Sequence, residues 1–262
     1  MNANLIHAIV SYADRYRTEN LTEDPRHLAT DWWQAFVFFL GRACYQGRVD
    51  VVSDRVYDSA LQVLAPLFSG KQRDLNYESQ KREKWNVRTR LAEKIGKGKV
   101  GKSRDVEMII SALKFLDSLD NRNIVSYSVA KITKGDLTRH YAELQRSETI
   151  DGITQVGPKV AALYLRDVVS LFDLTDFVDN SSAFCLQPID TWVQKVAERL
   201  GVVPKNALKL TTQHAIVKMC EKHEISALRF NQGAWYTGNH AFDLFLELLS
   251  NCKRGEAAHS SH

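Results

Sequence analysis

The feature of the sequence that most constrains the fold is a tight turn, Val156-Gly157-Pro158, between two stretches of helical character. Glycine reaches the positive φ that such a turn needs, and proline suits the first position of a helix. After the turn, apolar residues recur at helical spacing, at Val160, Leu163, Tyr164, Val168 and Leu171. Because KGDLTRHYAELQRSETI before the turn also reads as a helix, we predict a helix, a hairpin in which Gly157 takes the positive φ, and a second helix.

The same periodicity runs through most of the chain. It predicts further helices over residues 5–16, 31–43, 53–67, 105–116, 191–200, 205–220 and 240–249. Residues 123–133 and 172–188 are predicted to be connectors. Val125, Tyr127 and Val129 alternate in the first of these, but one such run without partners does not make a sheet. The prediction is an all-α protein.

The composition is that of a globular chain without a membrane segment. Of 262 residues, 44% are hydrophobic and 25% are charged, which is ordinary for a globular protein. The densest apolar run, WWQAFVFFL, is much shorter than the ~20 residues of a membrane span. The N-terminus lacks the positive start and the small-residue cleavage site of a secretory signal. We therefore expect a cytoplasmic protein, associated with the nucleoid if its source is prokaryotic.

The cysteines and histidines show no metal-binding spacing. The four cysteines contain no C-x-x-C pair, and His223-Glu224 lacks the second histidine of H-E-x-x-H. This argues against a zinc site, an iron–sulfur cluster and a disulfide framework. We expect no metal and no cofactor.

A strongly basic segment stands out from a mildly acidic remainder. The whole chain carries +4, whereas residues 81–104 carry +8 from ten basic residues against two glutamates. Concentrated positive charge is what binding to a phosphate backbone requires. Lys97, Lys99 and Lys102 are therefore candidate DNA contacts. The alternative is a solvated helix face followed by a loop.

Within that segment, GKGKVGKS at residues 96–103 satisfies both G-x-x-x-x-G-K-[ST] and G-x-G-x-x-G. A P-loop must leave a buried strand and enter a helix so that its amides converge on the phosphates. The preceding WNVRTRLAEKI is charged at helical intervals and is unlike a buried strand. A basic loop that touches DNA is favoured over a nucleotide site.

Two segments carry a resemblance to a known family. ITQVGPKVAAL at residues 153–163 and PIDTWVQKV at residues 188–196 resemble the helix-hairpin-helix DNA glycosylases that have a Gly/Pro-rich loop and an invariant aspartate. In lyase-competent members a lysine directly after the hairpin is the nucleophile, and the aspartate assists it. Lys159 and Asp190 stand at those positions. Gln155 replaces the first hairpin glycine of the family, and Trp192 stands where many members have histidine.

The resemblance implies further contacts with DNA. The hairpin amides of Val156 and Gly157 would hold a phosphate. Gln46 resembles in position a glutamine that enters the duplex where the target base has left; an ordinary surface glutamine is the alternative. Trp235 and Tyr236 are candidates for a base pocket, because flipped bases are held by stacking; aromatic core packing at a helix start is the alternative.

The architecture implied is two helical lobes with the hairpin and the aspartate facing an active-site cleft between them. Residues 46–171 would form one domain, residues 1–45 plus 172–252 the second, and residues 253–262 a disordered tail. The expected partner is double-stranded DNA containing a damaged or modified base, bound by a monomer without membrane contact.

The function that follows is a DNA repair glycosylase with associated lyase activity at abasic sites. The branch without an iron–sulfur cluster makes 8-oxoguanine the first substrate expected. Another modified base, including a modified cytosine, is the alternative within the class. The other classes are a non-catalytic helix-hairpin-helix DNA-binding module and a P-loop nucleotide hydrolase.

Overall fold

The computed structural model describes residues 3–46, 49–68, 87–96, 103–145 and 152–259. The protein is all-α, as predicted: these ranges contain no strand and only an isolated bridge between Gln145 and Ile153. The α-helices are α1 (Ala3–Asn20), α2 (Pro25–Thr30), α3 (Trp32–Ala43), α4 (Asp50–Phe68), α5 (Ser103–Asp117), α6 (Ile124–Thr133), α7 (Leu137–Glu143), α8 (Pro158–Leu171), α9 (Thr191–Leu200), α10 (Lys209–Lys222), α11 (Ala227–His240) and α12 (Phe242–His259). Shorter helical turns cover Ala92–Gly96, Thr175–Phe177 and Ala183–Leu186.

The chain forms two compact units. The hairpin unit is Glu23–Phe177, and the split unit joins Met1–Thr22 to Val178–His262. The sequence-based boundaries at residues 46 and 171 therefore differ from the observed division, chiefly over residues 23–45. That stretch belongs with the hairpin unit because α3 packs on α8, where the ring of Phe39 meets that of Tyr164 edge-on at 5.2 Å.

Helix α3 lies at the centre of the hairpin unit. Its start is fixed by Asp31, whose Oδ1 accepts hydrogen bonds from the amides of Trp33 at 2.9 Å and Gln34 at 3.2 Å. The helix is apolar on most sides, and both Phe36 and Phe39 are fully buried. A helix of this composition is stable only inside a core.

Buried charges tie α8 to α3. Arg166 and Asp167 are each 1% exposed, and Asp167 Oδ1 accepts hydrogen bonds from Arg166 Nε and Nη2 at 3.1 and 3.0 Å. Asp167 Oδ2 accepts a hydrogen bond from Arg42 Nε at 3.1 Å, and Arg42 also pairs with Glu23 at 2.9 Å. Since an unpaired buried charge is costly, these contacts fix the position of α8 along α3.

A second polar network joins α6, α7 and α8. The hydroxyl of Ser128 lies 2.8 Å from His140 Nε2 and 2.9 Å from the Tyr164 hydroxyl, and it donates to the carbonyl of Ile124 at 2.7 Å. His140 Nδ1 lies 3.5 Å from a carboxylate oxygen of Glu143. Ser128, His140 and Tyr164 are fully buried, so this network specifies how three helices pack.

The prediction of a connector over residues 123–133 is wrong, because Ile124–Thr133 is helix α6. Asn123 begins it: its side chain accepts a hydrogen bond from the Ser126 amide at 2.8 Å. The inward positions are Ile124, Val125, Ser128 and Ile132. The serine at the third of these interrupts the apolar stripe and hides the helical period.

The split unit is held by an apolar interior. Helix α1 lies against α11, and the buried residues include Ile6, Ile9 and Phe230. The two helices approach so closely at Gly233 that a Cβ there would overlap the carbonyl oxygen of Ile9. Glycine is required at this position by space rather than by φ.

The last helix is longer than the sequence predicts. Helix α12 runs to His259, so residues 253–259, which were expected to belong to a disordered tail, are helical. Among the described residues, no helix has both the length and the apolar character needed to cross a membrane.

Candidate active-site and DNA-binding residues

The hairpin before α8 is fixed by a few backbone contacts. The Ile153 amide donates to the carbonyl of Leu144 at 3.2 Å, the Val156 amide donates to the carbonyl of Ile153 at 3.0 Å, and the Thr154 amide donates to the Ser111 hydroxyl at 2.8 Å. A Cβ at Gly152 would overlap the carbonyl of Gln145, so the turn is pressed against the end of α7.

The prediction that Gly157 supplies the positive φ is wrong. Gly157 has φ −103° and ψ −176°, an extended conformation open to any residue, and a Cβ there would meet nothing within 4 Å. The left-handed residue is Gln155, with φ 66°. The turn therefore holds a residue with a Cβ in the left-handed conformation, at the cost of backbone strain.

Two hairpin amides have no hydrogen-bond partner among the described residues, those of Gln155 and Gly157. Gln155 is exposed and Gly157 half-buried. Helix α8 begins directly after them at Pro158, without a side-chain cap. Open amides beside a helix N-terminus are suited to an anion. The Val156 amide, by contrast, is used within the turn.

Lys159 lies in the first turn of α8 and is partly buried. Its Nζ donates a hydrogen bond to the carbonyl oxygen of Tyr45 at 3.0 Å. The amine is thus held against the end of α3 rather than extended into solvent.

Gln46 follows Tyr45, also at the end of α3, and is half-buried. Its Nε2 is buried and has no hydrogen-bond partner in the described part of the chain. An amide donor left in that state costs free energy. Gln46 is therefore not an ordinary solvated surface side chain, and its entry into DNA stays a prediction.

Asp190 belongs to the split unit and begins α9. Its Oδ1 accepts hydrogen bonds from the amides of Trp192 at 2.9 Å and Val193 at 2.8 Å. No hydrogen bond to its Oδ2 is found among the described residues. The carboxylate is thereby oriented through one of its two oxygens. Capping and catalysis are compatible at this position.

Trp192 takes part in packing within the split unit. Its ring centroid lies 5.5 Å from that of Phe242, and Lys195 Nζ lies 4.4 Å above it. A Cβ at Gly238 would come within 2.6 Å of the Trp192 Cβ. The Trp192 side chain thus packs closely against α11 at Gly238.

Trp235 and Tyr236 lie late in α11, not at a helix start. Trp235 meets Tyr16 edge-on at 5.4 Å; Tyr236 stacks on Tyr12 at 5.6 Å and donates a hydrogen bond to Glu19 at 2.9 Å. Both rings are half-buried and join α11 to α1. A role in a base pocket stays a prediction.

The basic segment is only partly described. Lys97, Lys99 and Lys102 lie outside the described residues. Arg88 and Arg90 are exposed, and Arg88 pairs with Glu107 on α5, with 3.0 Å between Nη2 and Oε2. Residues 87–91 are helical and lead into the π-helical turn Ala92–Gly96. The chain before the GKGKVGKS pattern is therefore helical, as predicted, which removes the strand that a P-loop needs.

Sequence reasoning missed Tyr45, whose carbonyl accepts a hydrogen bond from Lys159, and Asp54 on α4, which accepts a hydrogen bond from the Tyr45 hydroxyl. Burial first, and Asp54 second, raise the pKa of the Tyr45 hydroxyl well above its usual range. The contact with Lys159 uses a backbone oxygen far away in sequence, and no residue pattern signals that.

Comparisons of the chain with protein-family models, with curated proteins and with solved structures found no match. Within the described residues no group of three or more His, Cys, Asp or Glu side chains is suited to hold a metal ion.

Proposed function

We propose that this protein is a DNA glycosylase with associated lyase activity, acting as a monomer on double-stranded DNA that contains a damaged base. The observation that carries the proposal is the Lys159 amine, held 3.0 Å from the Tyr45 carbonyl directly after a hairpin with two open amides. Binding of a phosphate by those amides would bring the backbone of one nucleotide next to the amine. The resemblance of residues 153–163 and 188–196 to the glycosylase family supports the same reading.

The lysine would act as a nucleophile. Its neutral Nζ attacks C1′ of the deoxyribose, the glycosidic C1′–N bond breaks, and the electron pair of that bond leaves with the base, which takes up a proton. The C1′–O4′ bond then opens as a proton passes from Nζ to O4′, which gives a protonated Schiff base. Loss of a C2′ proton expels the 3′ phosphate and cuts the strand.

Asp190 would stabilise the positive charge that develops on the sugar as the base departs. A carboxylate held by two amides through Oδ1 keeps its orientation and needs no rearrangement when the charge appears. The proposal therefore requires Lys159 and Asp190, which belong to different units, to act on one nucleotide.

The first test is covalent trapping of the Schiff base. Wild-type protein with borohydride is expected to give a protein–DNA adduct on duplexes with 8-oxoguanine opposite cytosine, and on a preformed abasic site. Lys159→Gln should abolish the adduct and retain duplex affinity, while the exposed control Lys114→Gln should trap as wild type does. Undiminished excision and nicking by Lys159→Gln contradict the assignment of the nucleophile.

The second test compares two helix caps. Asp31 caps α3 through Oδ1 to the amides of residues two and three further on, as Asp190 caps α9. Asp190→Asn is expected to slow base excision by about 10²–10³, since one electrostatic group in such a site is worth ~3–4 kcal/mol. Asn caps a helix about as well as Asp does, so Asp31→Asn should leave the excision rate unchanged. Equal excision by the two variants argues against a catalytic Asp190.

Duplex binding is expected to weaken with salt, with a log–log slope of about −0.9 for each phosphate contact. Replacing Lys97, Lys99 and Lys102 with alanine should reduce affinity for any duplex and flatten that slope. An unchanged slope excludes the basic loop from the interface.

The substrate we propose first is 8-oxoguanine; a panel of duplexes with single modified bases distinguishes it from other lesions. The second candidate function is a non-catalytic DNA-binding module, which the replacements Gln155 and Trp192 favour. Salt-sensitive binding without excision or trapping on any lesion would be its signature.

A further inference from the structure

Tyr45 makes two hydrogen bonds in opposite directions. Its carbonyl accepts from Lys159 Nζ at 3.0 Å, and its hydroxyl donates to Asp54. One residue thus connects the first turn of α8 with α4. The end of α3 that carries Tyr45 is itself fixed one turn earlier, where Arg42 Nε donates to Asp167 on α8 at 3.1 Å.

The hydroxyl stays a donor across the pH range in which proteins fold. Burial and the neighbouring Asp54 carboxylate both raise the pKa of Tyr45, in that order. The Tyr45 hydroxyl therefore keeps its proton at neutral pH and can donate a hydrogen bond to Asp54. The next residue along the chain is Gln46, whose buried Nε2 has no described partner.

We infer that Tyr45 is a positioning residue for Lys159: the Tyr45–Asp54 hydrogen bond holds the Tyr45 carbonyl where it orients the lysine amine. This inference rests on the proposed function. Tyr45 touches neither the sugar nor the base in this role. It limits the orientations that a long, flexible side chain can adopt, and orientation of the attacking group is a large part of the rate of such reactions.

The experiment is single-turnover borohydride trapping on a duplex that contains a preformed abasic site, so that base extrusion does not limit the rate. Tyr45→Phe and Asp54→Asn are each expected to lower the trapping rate at saturating duplex about tenfold, the effect of one hydrogen bond of usual strength. The duplex concentration at half-maximal rate should change less than twofold. Because both variants break the same bond, the double variant should be no slower than either single variant.

Tyr57→Phe is the matched control. Tyr57 is another half-buried tyrosine, on the same helix as Asp54, and no contact between it and Lys159 is found in the described part of the chain. It should trap at the wild-type rate. Equal rates for Tyr45→Phe and wild type, or an equal loss in Tyr57→Phe, overturn the inference.

A second measurement separates the inference from the proposed function. Limiting acetic anhydride, followed by mass spectrometry, reports the reactivity of Lys159 relative to the exposed Lys114 in the same sample, without DNA. Tyr45→Phe should raise the Lys159:Lys114 labelling ratio at least threefold. If wild type is never trapped but this ratio rises, the catalytic proposal fails and the positioning role of Tyr45 stands. An unchanged ratio overturns the inference that the Tyr45–Asp54 bond positions Lys159.

Discussion

The two units bury different kinds of polar group. Among the described residues of the hairpin unit, the Asp, Glu, His, Lys and Arg side chains that are buried are those of Asp105, His140, Arg166 and Asp167. In the described part of the split unit the buried polar residues are neutral amides and hydroxyls, such as Gln213, whose Nε2 donates to the carbonyl of Gln187 at 2.8 Å. The helices of the split unit meet mainly through apolar surface and close backbone contact.

The difference teaches what each unit has to specify. Apolar packing tolerates small shifts of one helix along another, whereas a buried ion pair is satisfied in one arrangement only. The hairpin unit carries Lys159 on α8, and its ion pairs set where that helix lies. The split unit orients Asp190 locally, through two amides of its own helix, and needs no buried charge for that.

The largest expected effect comes from removing Asp167. Asp167→Ala leaves Arg166 and Arg42 without their shared carboxylate, and breaking a buried pair in this way costs about 3–5 kcal/mol. Hydrogen exchange of α8 peptides, measured by mass spectrometry, should show the loss in the hairpin unit.

The control is the exposed ion pair of the split unit, where Arg229 Nη2 lies 2.9 Å from Asp14 Oδ1 and the side chains are 41% and 69% exposed. Asp14→Ala should cost at most about 1 kcal/mol. Similar losses of stability in Asp167→Ala and Asp14→Ala would contradict the proposed difference between the units.

A smaller loss is expected from overpacking the split unit. Gly233→Ala puts a methyl group onto the carbonyl of Ile9, and α1 must move away from α11 at a cost of about 1–3 kcal/mol. The protection of α1 peptides against hydrogen exchange should fall, while the protection of α8 peptides should not change. Gly157→Ala, whose Cβ meets no atom within 4 Å, is the matched control.

The sequence predicts much of the helical scaffold because its signals are local. The start of α8 at Pro158, the cap at Asp190 and the apolar run of α3 each depend on neighbours within a turn or two of helix. Helix α6 was missed because Ser128 occupies one of its inward positions. That serine is satisfied by His140 and Tyr164, 12 and 36 residues away, and no local pattern records such partners.

The candidate site likewise contains features that the sequence predicts and features that it does not. Lys159 and Asp190 follow from short motifs, and the structure adds the atoms that hold them. Gly157 was assigned the positive φ because glycine is the residue that adopts it most easily. In the structure Gln155 has the positive φ instead, because the hydrogen bonds of the turn and the contact of Gly152 with Gln145 determine the backbone conformation.

The buried His140 makes the stability of the hairpin unit depend on pH. Burial lowers the pKa of His140 below its ordinary value, so the folded state keeps the ring neutral while the unfolded chain protonates it. The neutral ring therefore contributes to the free energy of unfolding above pH ~6.5. Below pH ~6.5 that contribution falls by up to about 1.4 kcal/mol per pH unit. His140→Gln should lower stability at pH 7 and flatten the dependence between pH 6.5 and 5.

Glu143 contributes a separate loss in stronger acid. The His140 ring first, then Lys131 and the Tyr127 hydroxyl, lower its pKa to about 2. Its share of the stability is present above pH ~4.5 and is lost as pH falls toward 2.

The control for His140→Gln is the exposed His7 in the split unit, whose replacement with Asn should leave the pH 5–6.5 dependence of stability intact. If this change flattens it as much as His140→Gln does, the acid sensitivity does not belong to the hairpin unit.

The smallest expected effect concerns two turns that the units build differently. The split unit ends α9 with Gly201 at φ 75°, whereas the hairpin unit holds Gln155 at φ 66°. Gln155→Gly should raise thermal stability by about 0.5–1 kcal/mol, because the left-handed conformation strains a residue with a Cβ. Gln155→Ala keeps the Cβ and should not. The reciprocal Gly201→Gln, where a Cβ meets no atom within 4 Å, should cost about the same amount through the backbone alone. Should Gln155→Gly destabilise the protein, the glutamine side chain contributes more to the stability of the hairpin than its positive φ costs.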